Sequence, residues 1–422
     1  MPSKIELRPQ PLGISAGPPS ALLLPVLDDG SDQERIEQVL MGLWPAAGEE
    51  PPPWRFFFLA CRGELEAAVA SLKELVGWAE GNGQTWLIDY NLFVLTADRA
   101  LYEKLAPVLE DEPGLLLAVV AYLHGTSERP PASGEAAAGE IAAFLESTAA
   151  HFSLAGSNAA TGLSHMRRAL DALGAISPAF SARLHSEIAS ISLHQPELYR
   201  DAIEHGRHAT EILKDTGFDR LRGELSLELG MSYQQLSAGR KDYLLSAISA
   251  YQEALLYFPK DGPDPSSYGL AQMNLGLVYL SMPMTDEAER LRPAIAIQAL
   301  REALRVFPRE KDARMWSSAT LNLANALQHV PSTHAEDNLW ESVALYQDIL
   351  EVRSKEDDPV SYARVLANQG NALAHLGAFS RAMPVLEESK TIFEEAGDRE
   401  SADTVSELLS EIERRRAEIG NL

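Results

Sequence analysis

Asn322, Asn325 and His329 stand three and four residues apart, and Asn368, Asn371 and His375 repeat that spacing later in the chain. Asn274 holds the first of these positions earlier still. Offsets of three, four and seven bring side chains to one face of an α-helix. A carboxamide carries both a donor and an acceptor, so a row of them can hold the amides of an extended peptide without reading its side chains. The histidines add groups whose charge changes near neutral pH. Arg364, four residues before Asn368, offers a cation to an acidic ligand. The competing use of such asparagines is structural, a bond to a neighbouring helix or to their own turn.

Other motifs carry less chemistry. Gly13-Ile14-Ser15-Ala16-Gly17 has the letters of a nucleophile elbow. An elbow needs a strand before it and a helix after it, whereas Pro11 precedes this one and Pro18-Pro19 follow. The loop Gly156–Gly162 continues into Leu163-Ser164 rather than the Lys and Ser or Thr of a phosphate loop, and reads as a turn between helices. His205 and His208 share a helix with Asp201 and Glu204, a spacing that can place two imidazoles on one metal, but no third ligand is evident. Arg62 beside Cys61 can lower a thiol pKa, though a lone cysteine on an apolar helix is usually packing. No motif implies a cofactor, a metal or a catalytic group.

The elements that must position these residues are helical. Prolines crowd an irregular segment 1–53, with one short helix from about Ser31 to Leu43 opened by a Ser31/Glu34 capping box. Ala21–Leu27 is an apolar run too short and proline-broken for a signal peptide. Residues 54–130 read as a helical domain in which Trp86–Leu95 is a helix or a strand, and Thr96 caps the helix that follows. Gly125–Gly134 reads as a linker and places a domain boundary there.

Beyond it the chain repeats. Small residues recur at Gly230, Gly276, Ala324 and Gly370, with steps of 46, 48 and 46 residues. Second helices read Ala247-Ile248-x-x-Tyr251-x-x-Ala254, then Ala296-Ile297-x-x-Leu300-x-x-Ala303, Ser342-Val343-x-x-Tyr346-x-x-Ile349 and Ala382-Met383-x-x-Leu386-x-x-Ser389. Pro259 and Pro308 close the first two at the same offset. This pattern resembles the tetratricopeptide repeat family over about residues 217–395, and a degenerate form of it over 135–216. The period exceeds the family's 34 residues because the turns within hairpins are longer. The resemblance implies an all-α fold, a right-handed α-solenoid of helical hairpins with a separate helical N-terminal domain. It also implies that first helices line a concave groove, which would put the asparagine triplets on a peptide-binding surface. Residues 396–422 form a capping helix, with Ala402, Val405, Leu409 and Ile412 on one stripe.

The charge sum is −25. Phosphate backbones and anionic lipids repel such a chain, which argues against nucleic acid and membrane surfaces as partners. A single cysteine excludes an internal disulfide and any cysteine zinc site, and no apolar run reaches membrane-spanning length. The chain reads as a cytoplasmic, non-catalytic scaffold that binds a protein or peptide through Asn274, Asn322, Asn325, His329, Arg364, Asn368, Asn371 and His375. The alternative is a regulatory subunit of an enzyme complex that grips the enzyme through residues 1–130.

Overall fold

Asp264, Asp312 and Asp358 stand twelve residues before Gly276, Ala324 and Gly370. Each carboxylate accepts the backbone N–H three residues on, at 3.1 Å from Ser267, 2.9 Å from Met315 and 3.0 Å from Ser361. Such an N-cap satisfies one of the donors that a helix start leaves bare. The capped helices are Pro265–Ser281, Ala313–His329 and Pro359–His375, so the repeat of small residues is also a repeat of helix starts.

The computed structural model describes residues 22–24, 32–132, 137–283, 291–330 and 334–420. Among them the chain is all-α, with twenty α-helices and no strand. It divides into two compact units, residues 1–232 and 233–422. The first holds α1 (Asp32–Leu40), α2 (Pro52–Cys61), α3 (Leu65–Glu74), α4 (Val76–Gly81), α5 (Thr85–Thr96), α6 (Arg99–Leu105), α7 (Asp111–Leu123), α8 (Gly139–Ala155), α9 (Ala159–Leu173), α10 (Pro178–Ser192) and α11 (Tyr199–Ile212). Helix α12 (Asp219–Leu236) carries the chain from one unit to the next. The second unit continues with α13 (Lys241–Tyr257), α14 (Pro265–Ser281), α15 (Arg292–Val306), α16 (Ala313–His329), α17 (Ala335–Leu350), α18 (Pro359–His375), α19 (Phe379–Ala396) and α20 (Arg399–Gly420).

In the first unit three residues of the apolar run near the N-terminus are core. Leu22, Leu23 and Leu24 are buried, and the buried amide of Asn91 on α5 pins them. Asn91 Oδ1 accepts the Leu24 N–H at 2.8 Å, and its Nδ2 donates to the Leu24 carbonyl at 2.7 Å. Tyr90 donates its hydroxyl to the Leu22 carbonyl at 3.0 Å. One hydrophobic cluster runs from Leu22 to Leu225 through α2, α5, α7, α8 and α10. The Gly125–Gly134 stretch, read from its composition as a linker, therefore lies inside a unit whose core continues past it, with α7 packed on α8. Trp86–Leu95 lies in a helix, α5. Thr96 ends α5 instead of starting the next helix; its hydroxyl donates back to the Leu92 carbonyl, and Ala97 takes a left-handed φ of 56°. The cap of α6 is Asp98, which accepts the Ala100 N–H at 2.9 Å. The serine elbow letters at 13–17 and the Ser31 cap lie outside the described residues.

In the second unit α14 pairs with α15, α16 with α17 and α18 with α19, while α13 packs on α14 and α20 on α19. The first helices also touch in series, α14 with α16, α16 with α18 and α18 with α20. This is a tetratricopeptide-like solenoid of hairpins, each bearing on its neighbours. The small residues set the helix spacing within hairpins. A Cβ on Gly276 would meet Leu300 Cγ at 2.9 Å and the Ala296 carbonyl at 3.1 Å, and one on Gly370 would meet Leu386 Cγ at 2.5 Å. Ala324 is fully buried at the matching place. On α20, Ala402, Val405 and Ile412 are buried against the last hairpin, and Asp398 caps its start.

Candidate functional site

A cavity of about 320 Å³ lies among α14, α15 and α16. Leu277, Tyr279 and Leu280 of α14 form one wall, with Met282 just beyond. Arg292 and Pro293 open α15 on a second side. The third wall is Asn322, Asn325, Ala326 and His329 of α16, followed by Val330. The cavity thus gathers the first asparagine triplet whole, on one helix face as its spacing requires. Its remaining lining is mostly apolar. No carboxylate lines it among the described residues, in a chain of net charge −25. Arg292 donates from Nη1 to the Pro283 carbonyl at 3.2 Å, which holds its guanidinium beside the wall.

The second triplet is placed differently. Asn368, Asn371 and His375 lie on α18, next to α16, and are not part of the cavity lining. Asn368 Nδ2 donates to Asn325 Oδ1 at 3.1 Å, so the two triplets are joined directly. Asn371 is half-buried, while His375 and Arg364 are exposed on the same helix. Arg364 acts on its own surroundings: with nearer hydrogen bonds from Ser361 and Ser401, its charge helps hold the Asp358 and Asp398 carboxyls below their usual range. Asn274 sits on α14 and is not part of the cavity lining, and its Nδ2 is buried without a partner among the described residues.

Asn325 is the most heavily used of these side chains. Its Oδ1 also accepts the Tyr346 hydroxyl of α17 at 2.7 Å. Gln328, one turn along α16, places the oxygen end of its amide 3.0 Å from the same phenol, while its Nε2 is buried and unpartnered among the described residues. A phenol has one proton, and the two ends of an amide exchange by a half turn. The turn that points Nε2 at Tyr346 lets the phenol donate to Asn325 and accept from Gln328, and leaves no orphan. An earlier hairpin repeats the device, where Tyr251 donates to Gln234 Oε1 at 2.8 Å. Where the second helix carries Leu300 or Leu386 instead of tyrosine, the first helix carries Leu280 or Ala374 at the glutamine position. Polar and apolar pairings therefore switch together, and the structural use of asparagine holds for Asn325 and Asn368.

Three side chains join the picture that the spacing along α16 does not mark. Tyr279 and Arg292 flank the long turn between α14 and α15, and Tyr346 is brought to Asn325 from the next helix. In the first unit, His185 of α10 lies against His205 and His208 of α11 and supplies a third imidazole. The rings tilt across one another, and no three His, Cys, Asp or Glu side chains converge with metal-holding geometry among the described residues. Cys61 is held by its surroundings as a thiol. Burial pushes its pKa up to about 12, against a weaker opposite pull from Arg62.

No family model and no curated protein matches the chain. Among solved structures it is similar to BtubC from P. vanneervenii, at 18% identity and TM-score 0.43 over 59% of this chain and 93% of that one. It is also similar to a Rap protein complexed with competence and sporulation factor, at 14% identity and TM-score 0.43 over 86% of this chain and 97% of that one. The apo form of RapI matches at 13% identity and TM-score 0.45 over 86% of this chain and 96% of that one. No helix among the described residues is long and apolar enough to cross a membrane.

Proposed function

We propose that the second unit is a non-catalytic scaffold that holds an extended segment of a partner protein along its first helices. The observation that carries this reading is the cavity walled by Asn322, Asn325 and His329 beside Leu277, Leu280, Met282 and Val330. An apolar pocket with a few convergent polar groups is the usual form of a binding site. One apolar side chain of the partner fills the cavity. Asn322 and the Nδ2 of Asn325 bond the partner's backbone at its rim, and Asn371, His375 and Arg364 extend the contact along α18. Asn274 adds a buried donor without a partner among the described residues, a cost that a folded chain seldom leaves unexplained. The expectation against nucleic acid rests on net charge alone.

The test is selection of binding peptides from a random library against the full chain, followed by calorimetry with Asn322→Ala, His329→Ala. Loss of two amide or imidazole bonds at about 0.5–1.5 kcal/mol each should weaken a selected peptide roughly ten-fold. Peptides that bind the double variant as tightly as the parent chain, at constant salt, remove this cavity from the mechanism.

A further inference from the structure

His185 on α10 and His205 on α11 face each other with their Nδ1 atoms 2.8 Å apart, and their ring centroids are 4.8 Å apart at 40°. The His208 ring, three residues along α11, lies 5.6 Å from that of His185. His185 and His205 are half-buried and His208 is exposed. A contact between two imidazole nitrogens holds one proton, with one Nδ1 donating and the other accepting. Adding one proton can preserve this, since an imidazolium Nδ1–H still finds a bare Nδ1 opposite. Adding a second cannot. Both Nδ1 atoms then carry hydrogen, and two positive rings face each other with their centroids 4.8 Å apart.

We propose that the His185–His205 contact is an acid-sensitive latch that closes the α10–α11 hairpin at neutral pH and opens it when both rings are protonated.

The surrounding charges favour this behaviour. From α9, Arg167 reaches over and pairs with Asp201 of α11 at 3.1 Å, so this carboxylate beside His205 is occupied by another cation. Glu204 of α11 lies 4.0 Å from His208 Nε2 on the exposed side. On the other flank of α10, Glu224 and Glu228 of α12 face Arg183 and Ser186, with Ser186 donating to Glu228 and Arg183 at 3.9 Å from Glu224. Among the described residues no carboxylate pairs with His185 or His205 to hold a second proton. Burial, and then the charges of His205 and His208, push the His185 pKa down to about 4. Burial and Arg167 also hold His205 below its ordinary value, with Asp201 and Glu204 pulling weakly the other way. A ring whose pKa is depressed in the closed hairpin binds its proton more readily once the hairpin opens. The latch is therefore at full strength above the free-imidazole value of about 6.5, and weakens as pH falls from there toward 4.

The test is hydrogen exchange of the full chain followed by mass spectrometry at about pH 7.5 and about pH 5, corrected for intrinsic rates. In the parent chain the α10–α11 peptides should open roughly ten-fold more often at the acid pH, while α18–α19 peptides serve as an internal reference. In His205→Gln, whose amide cannot take a charge, that increase should fall below about two-fold. Equal acceleration in the variant and the parent, or none in the parent, overturns the latch. A nitrogen-detected NMR titration of His185 in the parent chain gives a second reading that needs no variant. Protonation below about pH 5 supports the proposal, and protonation near the free value of about 6.5 overturns it.

Discussion

The Tyr346 phenol, fully buried on α17, donates to Asn325 Oδ1 at 2.7 Å, and Asn368 Nδ2 of α18 donates to the same oxygen at 3.1 Å. One carboxamide oxygen on α16 thereby ties together the second helix of its own hairpin and the first helix of the next. The bond also explains why a tyrosine can sit in the core of this hairpin at all, since burial raises its pKa and leaves its hydroxyl in need of a partner.

Asn325→Ala removes the acceptor of the Asn368 amide and leaves the Tyr346 hydroxyl with Gln328 alone. It should destabilise the second unit by about 1–3 kcal/mol in urea unfolding. Asn322→Ala, on the cavity wall, should change stability by less than about 0.5 kcal/mol. A cycle with Tyr346→Phe should return a coupling of about 0.5–3 kcal/mol, because the two groups share one bond. Additive single and double variants would mean that the phenol draws its stability from packing alone.

The glycines separate close packing from open space. Gly276→Leu must displace Leu300 and the Ala296 carbonyl, and should cost more than about 2 kcal/mol. Gly77 lies on α4 with nothing within 4 Å of an added Cβ. Gly77→Ala should instead stabilise by about 0.5–1 kcal/mol, through the entropy of the unfolded chain. Similar effects of the two substitutions on the urea midpoint would contradict the helix spacing described here.

Asn91 makes a sharper test of the first unit. Its amide serves both the N–H and the carbonyl of Leu24, and all of these groups are buried. Asn91→Leu keeps much of the volume but orphans two backbone groups, each at about 1–3 kcal/mol. The expected result is loss of at least about 2 kcal/mol, together with faster protease cutting near Leu22–Leu24. Unchanged cutting would mean that these leucines are held by packing alone.

Much of the fold was legible because a helical repeat writes itself along the chain. The steps between Gly230, Gly276, Ala324 and Gly370 mark the close contacts, and the aspartates twelve residues before the last three mark the helix starts. That aspartate register stands in the sequence itself. The candidate site was legible only in part. Spacing along one helix places Asn322, Asn325 and His329 on one face, but it says nothing about what the next helix brings to them. Tyr346 reaches Asn325 from 21 residues away and His185 reaches His205 from 20, distances set by hairpin length and crossing geometry rather than by local pattern. At Gly125–Gly134 composition reads as a linker, while the apolar cluster of the first unit includes residues on both sides of that stretch.

Where the chain can be cut follows from that core. A fragment of residues 135–422 discards Leu22 through Ala121, a large part of the apolar cluster that α8 and α10 pack against. The surface so exposed favours opening of whatever remains of the first unit, since each buried leucine or phenylalanine contributes about 1.5–3 kcal/mol. The clusters around Leu300 and Leu386 involve only residues beyond 232 and stay complete. A fragment beginning with α12, residues 219–422, also keeps the bond from Tyr251 to Gln234. Both fragments should therefore show a cooperative helical melt by circular dichroism. In the longer one, residues 135–218 should be trimmed by trypsin at low enzyme ratio while the rest survives. Resistance of 135–218 would restore a boundary at the Gly125–Gly134 stretch. A shorter fragment without a cooperative melt would mean that the second unit depends on the first for its stability.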